Sequence, residues 1–139
     1  MKNRPERVII DTNLWISFLI SNNYTELDEV LIQRECVLIF GDELLEEFLT
    51  VIKRPKFKDF FSHEDTINLI ETIQDYAEFI EVTTQVNVCR DNKDNFLLSL
   101  AKDSNADFLL TGDRDLLVLK KIGSTRIITI TDFLNRSYR

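Results

Sequence analysis

Five short apolar runs constrain this chain more than anything else in it: Val8–Ile10, Val37–Phe40, Phe79–Val82, Phe108–Leu110 and Ile127–Ile130. Each is mostly apolar on both faces, where a half-solvated strand would alternate. Such runs mark strands of a parallel sheet covered on both sides. Helical patterns fall between them, over about 13–21, 25–34, 42–53, 64–77, 93–104 and 113–121, with a last helix after Thr131. Strands alternating with helices predict an α/β fold. The expected form is a three-layer α/β/α sandwich around a mostly parallel, about five-stranded sheet with right-handed crossovers. The 139 residues suffice for one real core. No repeat, low-complexity tract or linker divides them, so a single domain over 1–139 is expected.

Several function classes drop out early. MKNRPER leads into only three apolar residues, not a signal-peptide core. The uncharged stretch 12–25 is too polar and too short to span a bilayer. A cytoplasmic protein without a membrane partner is expected. Cys36, Cys89 and the single His63 make no zinc pattern. The cysteines read as small buried hydrophobes and His63 as a residue at a helix start. One histidine and no Gly-x-Ser-x-Gly leave triad chemistry unsupported, and no Gly-x-x-x-x-Gly-Lys loop is present.

The acids are distributed otherwise. In a parallel α/β sheet, ligands bind in the crevice at the carboxyl ends of the strands. Asp11 directly follows the first strand, inside VIIDTNLWISFL. Asp113 follows the Phe108–Leu110 strand after Thr111-Gly112, and Asp91 and Asp94 precede or open the helix containing Phe96-Leu97-Leu98. The helix over 42–53 carries Glu43, Glu46 and Glu47. Its apolar arc is Leu44, Leu45, Phe48, Leu49, Val51 and Ile52, and Glu46 and Glu47 fall just outside opposite edges, so periodicity does not choose between them. Taken singly, Asp11, Asp94 and Asp113 have local explanations as caps or first-turn acids. Jointly they crowd one sheet edge, where repulsion favours protonation unless cations are bound. Other acidic patterns fit worse. A calcium loop laid over Asp103, Asn105 and Asp107 would put Phe108 at its turn glycine and Arg114 at its final Glu. Asp11-Thr12-Asn13 lacks the second carboxylate of an Asp-x-Asp phosphatase loop.

This set of residues resembles the PIN-domain family, the metal-dependent ribonuclease fold of many bacterial toxin–antitoxin toxins. VIIDTN is similar to its opening strand with Asp11 and Asn13. GDELLEEFLTVIKRPKF is similar to the segment holding the second acid, which the resemblance puts on Glu47. RDNKDNFLLSLAKDSNADFLLTGDRDLL is the most specific stretch. It implies Asp94 and Asp113 as third and fourth acids, with Asp115 auxiliary and Asp91 in a supporting or loop role. The resemblance thus implies Asp11, Glu47, Asp94 and Asp113 as catalytic metal ligands, with Asn13 and Thr111 orienting a carboxylate or water. Oxygen ligands suit Mg²⁺ or Mn²⁺. Two such ions roughly 3.5–4 Å apart activate water and stabilise the leaving oxygen in phosphodiester hydrolysis. The implied function is endoribonuclease cleavage of single-stranded RNA, with a cognate antitoxin as partner and a homodimer as the family's expectation.

A net charge of −7 argues against phosphate binding only until cations are counted, since two divalent ions would bring −7 to −3. Lys53, Arg54, Lys56 and Lys58 form a local cluster after the Glu47 helix, and Arg114 stands between two acids. These are candidate RNA contacts, set against ordinary solvated charge and a salt bridge of Arg114 to Asp113 or Asp115. Trp15, Phe57, Phe60 and Phe61 are candidates for either core or a dimer contact. Two other readings remain at this stage. A non-catalytic RNA- or protein-binding module would tolerate loss of all four acids, and a metal-dependent DNA nuclease would share them.

Overall fold

β1 (Arg7–Ile10) sits inside a six-stranded sheet with β2 (Val37–Phe40) on one side and β4 (Phe108–Leu110) on the other. A computed structural model describes residues 5–21, 36–57 and 59–135; the helix expected over 25–34 and Lys58 lie outside the described residues. β3 (Ala77–Phe79) pairs with β2 at one edge, and β6 (Thr125–Ile128) with β4 toward the other, all in parallel. The outermost strand, β5 (Lys121–Ile122), pairs antiparallel with β6, giving the order β3-β2-β1-β4-β6-β5.

Val8, Ile9 and Ile10 are all buried, as are Phe108, Leu109 and Leu110. Successive strand residues face opposite sides, so both faces of the sheet are covered. The cover comes from α1 (Thr12–Ser21), α2 (Asp42–Ile52), α3 (His63–Tyr76), α4 (Asn92–Ser104), the short α5 (Arg114–Leu117) and α6 (Ile130–Leu134). Helix α2 buries Leu44, Phe48, Val51 and Ile52, each worth about 1.5–3 kcal/mol. Phe48 meets Trp15, which also packs on Phe40. This packing seats α2 against α1.

Four expectations shift. The sheet has six strands, because Lys120 and Gly123 adopt positive φ. They end the helix expected over 113–121 at Leu117 and fold a hairpin instead. The strand expected over 79–82 runs from Ala77 to Phe79, since β2 stops at Phe40; the last ladder bond is Ile80 N–H to the Phe40 carbonyl. The strand expected over 127–130 is Thr125–Ile128, because Thr129 caps α6 by accepting the Asp132 N–H. Trp15 is core, not a dimer contact, at 3% exposure. Phe57 and Phe61 are partly buried against the core, and only Phe60 of the four is largely exposed. His63 opens α3 behind Ser62, whose capping box with Asp65 sets the helix start. Cys36 is buried and Cys89 half-buried, and neither is in a disulfide.

Candidate metal centre

Asp11 is where β1 stops and α1 starts. Its N–H still donates to Leu110 of β4, while its carbonyl accepts from Leu14 and Trp15 in the first turn. Its side chain accepts from the Asn13 N–H at 3.4 Å and from the Thr111 hydroxyl at 2.7 Å. Thr111 is 100 residues away in sequence and fully buried. Its oxygen also accepts the Asp113 N–H at 3.0 Å. One hydroxyl therefore ties the loops after β1 and β4 together and aligns their two acids.

Asp113 caps α5 by accepting the Asp115 N–H at 2.9 Å. Asp91 likewise caps α4 through the Lys93 N–H, and Asp94 lies buried in the first turn of that helix. The capping explanation holds for Asp113, where it coexists with a place in the cleft, and Asp91, expected in a supporting or loop role, is a cap as well. Carboxylate oxygens of Asp94, Asp113 and Asp115 lie within 4.8 Å of one another. Burial, aided by the charges of Asp113, Asp91 and Asp11, pushes the Asp94 carboxyl up to about 6. A hydrogen bond between the Asp94 and Asp113 carboxyls adds to this. Burial also raises Asp11, helped by Glu47 and Asp113, against the lowering by its Thr111 and Asn13 bonds. Carboxylates crowded within 4.8 Å repel one another, which a cation between them would relieve. The donors are all hard oxygens, which fits Mg²⁺ or Mn²⁺.

Glu47 reaches the same edge from α2. Its Oε1 accepts the Thr12 hydroxyl at 2.8 Å, and its Oε2 lies 3.7 Å from Lys93 Nζ. Glu46 is exposed. The side chains thus gathered are Asp11, Glu47, Asp94, Asp113 and Asp115, with Thr111 between the loops. Asn13 is exposed and borders a shallow concavity with Asp11, Leu14, Gly112 and Asp113. Arg114 is exposed and makes no ion pair with either neighbouring acid among the described residues. Of the basic cluster, Lys53 and Arg54 are exposed, while Lys56 lies over the Phe57 ring.

Sequence reasoning missed three groups. Thr12 was passed over within its own triplet, although it is buried and holds Glu47. Lys93 was hidden by the acids on either side of it. The third is a polar stripe on α4, with Asn95, Ser99 and Asp103 four residues apart and so on one face. Asn95 Oδ1 accepts from Val88 and Cys89 N–H groups, and its amide donates to the Cys89 carbonyl. Ser99 accepts from Val86, and Asp103 from both Thr83 and Thr84. The stripe pins segment 83–89, which has no ladder partner, and delivers Asp91 to the cleft. It also occupies Asp103 otherwise than in a calcium loop. The thiol of Cys89 is raised by burial and by Asp94, Asp115, Asp113 and Asp91, which keeps it neutral beside the acids.

Comparison with known proteins adds three findings. A family model described as a PIN domain matches residues 7–115. An uncharacterised protein of Methanocaldococcus jannaschii is 30% identical over 117 residues, covering 82% of this chain and 75% of that protein. The crystal structure of VapBC2 from Rickettsia felis, bound to a DNA fragment from their promoter, contains a chain that superposes with a TM-score of 0.59. That match has 17% identity and covers 87% of this chain and 96% of that one, a likeness of fold. No helix among the described residues is long and apolar enough to cross a membrane.

Proposed function

The chain belongs to the PIN-domain family, and from that premise we propose that it is a divalent-metal-dependent endoribonuclease acting on single-stranded RNA. The observation that carries the reading is the approach of Asp94, Asp113 and Asp115 within 4.8 Å, with a buried Asp11 and a braced Glu47 at the same edge. PIN domains are typically nucleases, and an acidic cluster of this kind suits that chemistry. The proposed ligands are Asp11, Glu47, Asp94 and Asp113, with Asp115 auxiliary.

When bound, Mg²⁺ or Mn²⁺ supplies Lewis acidity and lowers the pKa of a coordinated water. The chain's own residues hold the site in shape. Thr111 fixes Asp11 against Asp113, and Thr12 fixes Glu47, so the carboxylates face inward before any cation arrives. The single histidine, His63, is exposed at the start of α3 and lies on none of the elements that carry these acids. Carboxylates are then the available proton acceptors. Burial and the neighbouring carboxylates favour the protonated form of Asp94, and a bound cation would oppose that.

The finer reading is the toxin of a VapBC-like pair in the cytoplasm, with a small antitoxin covering the cleft and a homodimeric state. Its support is the likeness to VapBC2 in fold and the family membership. Purified protein should cut single-stranded RNA with Mg²⁺ or Mn²⁺, spare DNA of the same sequence, and stop on addition of EDTA. Asp11→Asn and Asp94→Asn should each abolish cleavage. Full activity in both variants would refute the assignment, and equal cutting of DNA would refute the substrate.

A further inference from the structure

A groove of about 340 Å³ runs between α2 and α4 beside the acids. Glu46 and Glu47 line it from α2 and Arg54 from just beyond that helix, with Asn92, Lys93 and Phe96 on its α4 wall. We propose that this groove is a nucleotide subsite for the single-stranded RNA. The base next to the cleaved bond stacks on Phe96 and offers donors to Glu46, and its flanking phosphates rest on Lys93 and Arg54. The inference rests on the ribonuclease reading and deepens it.

Continuity is the first reason. Glu47 belongs both to the acid cluster and to the groove wall, so a strand presented to one enters the other. Phe96 is the second. It is half-buried and lines the groove, not the main core cluster, which leaves an aromatic surface at the site. Aromatic rings in such positions stack bases without regard to backbone sequence. Charge is the third. Three glutamates line the groove against two cations, so a phosphate is repelled from most of the α2 wall and held only at Arg54 and Lys93. Arg54 is exposed without an ion pair among the described residues, and the exposed Lys93 ammonium lies 3.7 Å from Glu47. Glu46 is exposed and has no hydrogen-bond partner among the described residues, so its carboxylate can accept from a ligand in the groove. Guanine presents N1–H and N2–H₂ side by side on its Watson–Crick edge, the edge that single-stranded recognition reads. A guanine at this position is the expected preference.

The test uses the whole chain with short RNAs identical except for G, A, C or U beside the cleaved bond. Affinity is read by fluorescence anisotropy in Ca²⁺ and cleavage in Mn²⁺. Wild type should prefer G. Phe96→Leu should weaken binding roughly 5- to 100-fold, while Phe96→Tyr retains it and Mn²⁺ affinity stays unchanged in both. Glu46→Gln should erase the preference for G. Arg54→Gln and Lys93→Gln should each lower the log–log salt slope by about 0.7. Folded Phe96→Leu and Glu46→Gln proteins that bind all four RNAs as wild type does would overturn the subsite and leave the ribonuclease reading standing. Unchanged RNA affinity is also what a protein-filled groove would give. Wild type that shows the predicted preference but cuts nothing keeps the subsite and refutes cleavage.

Discussion

Asp94→Asn should abolish the proposed activity and, in the same protein, raise its stability when metal is absent. The Asp94 carboxyl is pushed from 3.8 up to about 6. That difference corresponds to roughly 3 kcal/mol between the neutral and ionised forms. A raised folded-state pKa contributes stability that is fully present below the unfolded value of 3.8 and is lost as pH rises through 6. Asparagine imitates the neutral acid at every pH, so the variant escapes that loss. The gap between the proteins should be small at pH 4 and near its limit at pH 8. At a few degrees per kcal/mol for a chain of this size, the variant should melt roughly 5–10 °C higher at pH 8. The assay is thermal unfolding by circular dichroism in EDTA at both pH values. Excess Mn²⁺ should then narrow the gap, stabilising wild type by about 2.7 kcal/mol at a hundredfold over Kd and the variant by less. A variant that melts below wild type at pH 8 in EDTA, or shows the same gap at pH 4, would refute the argument.

Three further perturbations separate bracing from chemistry. Thr12→Val removes the 2.8 Å bond to Glu47 and should lower Mn²⁺ affinity roughly 10- to 100-fold, read by calorimetry. Asn95→Ala strips three hydrogen bonds from Val88 and Cys89, which should cost about 3 kcal/mol in urea unfolding. Hydrogen exchange should rise first across 83–91. Glu78→Gln breaks a bidentate pair with Arg7 whose acid is 45% exposed. It should change stability by less than about 1 kcal/mol, so a larger loss would show that this edge of the sheet is tighter than exposure suggests.

The central strands were legible because burial on both faces leaves a continuous apolar run, and Val8–Ile10 and Phe108–Leu110 have no polar residue to confuse the pattern. The edges were not. Lys121–Ile122 becomes a strand only because Lys120 takes a left-handed conformation that nothing in its side chain advertises. Helix ends were readable to within a residue where Ser62 capped α3, and misread where Thr129 interrupted an apolar run. Among the acids, periodicity left Glu46 and Glu47 undecided, because both border the apolar arc. The resemblance put the site acid on Glu47, and the contact that distinguishes Glu47 in the fold is the hydroxyl of Thr12, 35 residues distant. Asn95, Ser99 and Asp103 carry a spacing of four that was visible, but their partners are backbone N–H groups, which leave no trace in a sequence.

The bond between Thr111 and Asp11 also orders events in time. β1 can pair with β2 soon after it is made, but its other neighbour, β4, arrives 100 residues behind Asp11. At the usual pace of translation that delay is roughly 5–20 s. During it the nascent chain holds Asp11 and Glu47 without the loop that ties Asp11 to Asp113. Any chain released before residue 108 lacks β4 and the clasp altogether, so interrupted synthesis yields fragments that cannot assemble the acidic cluster.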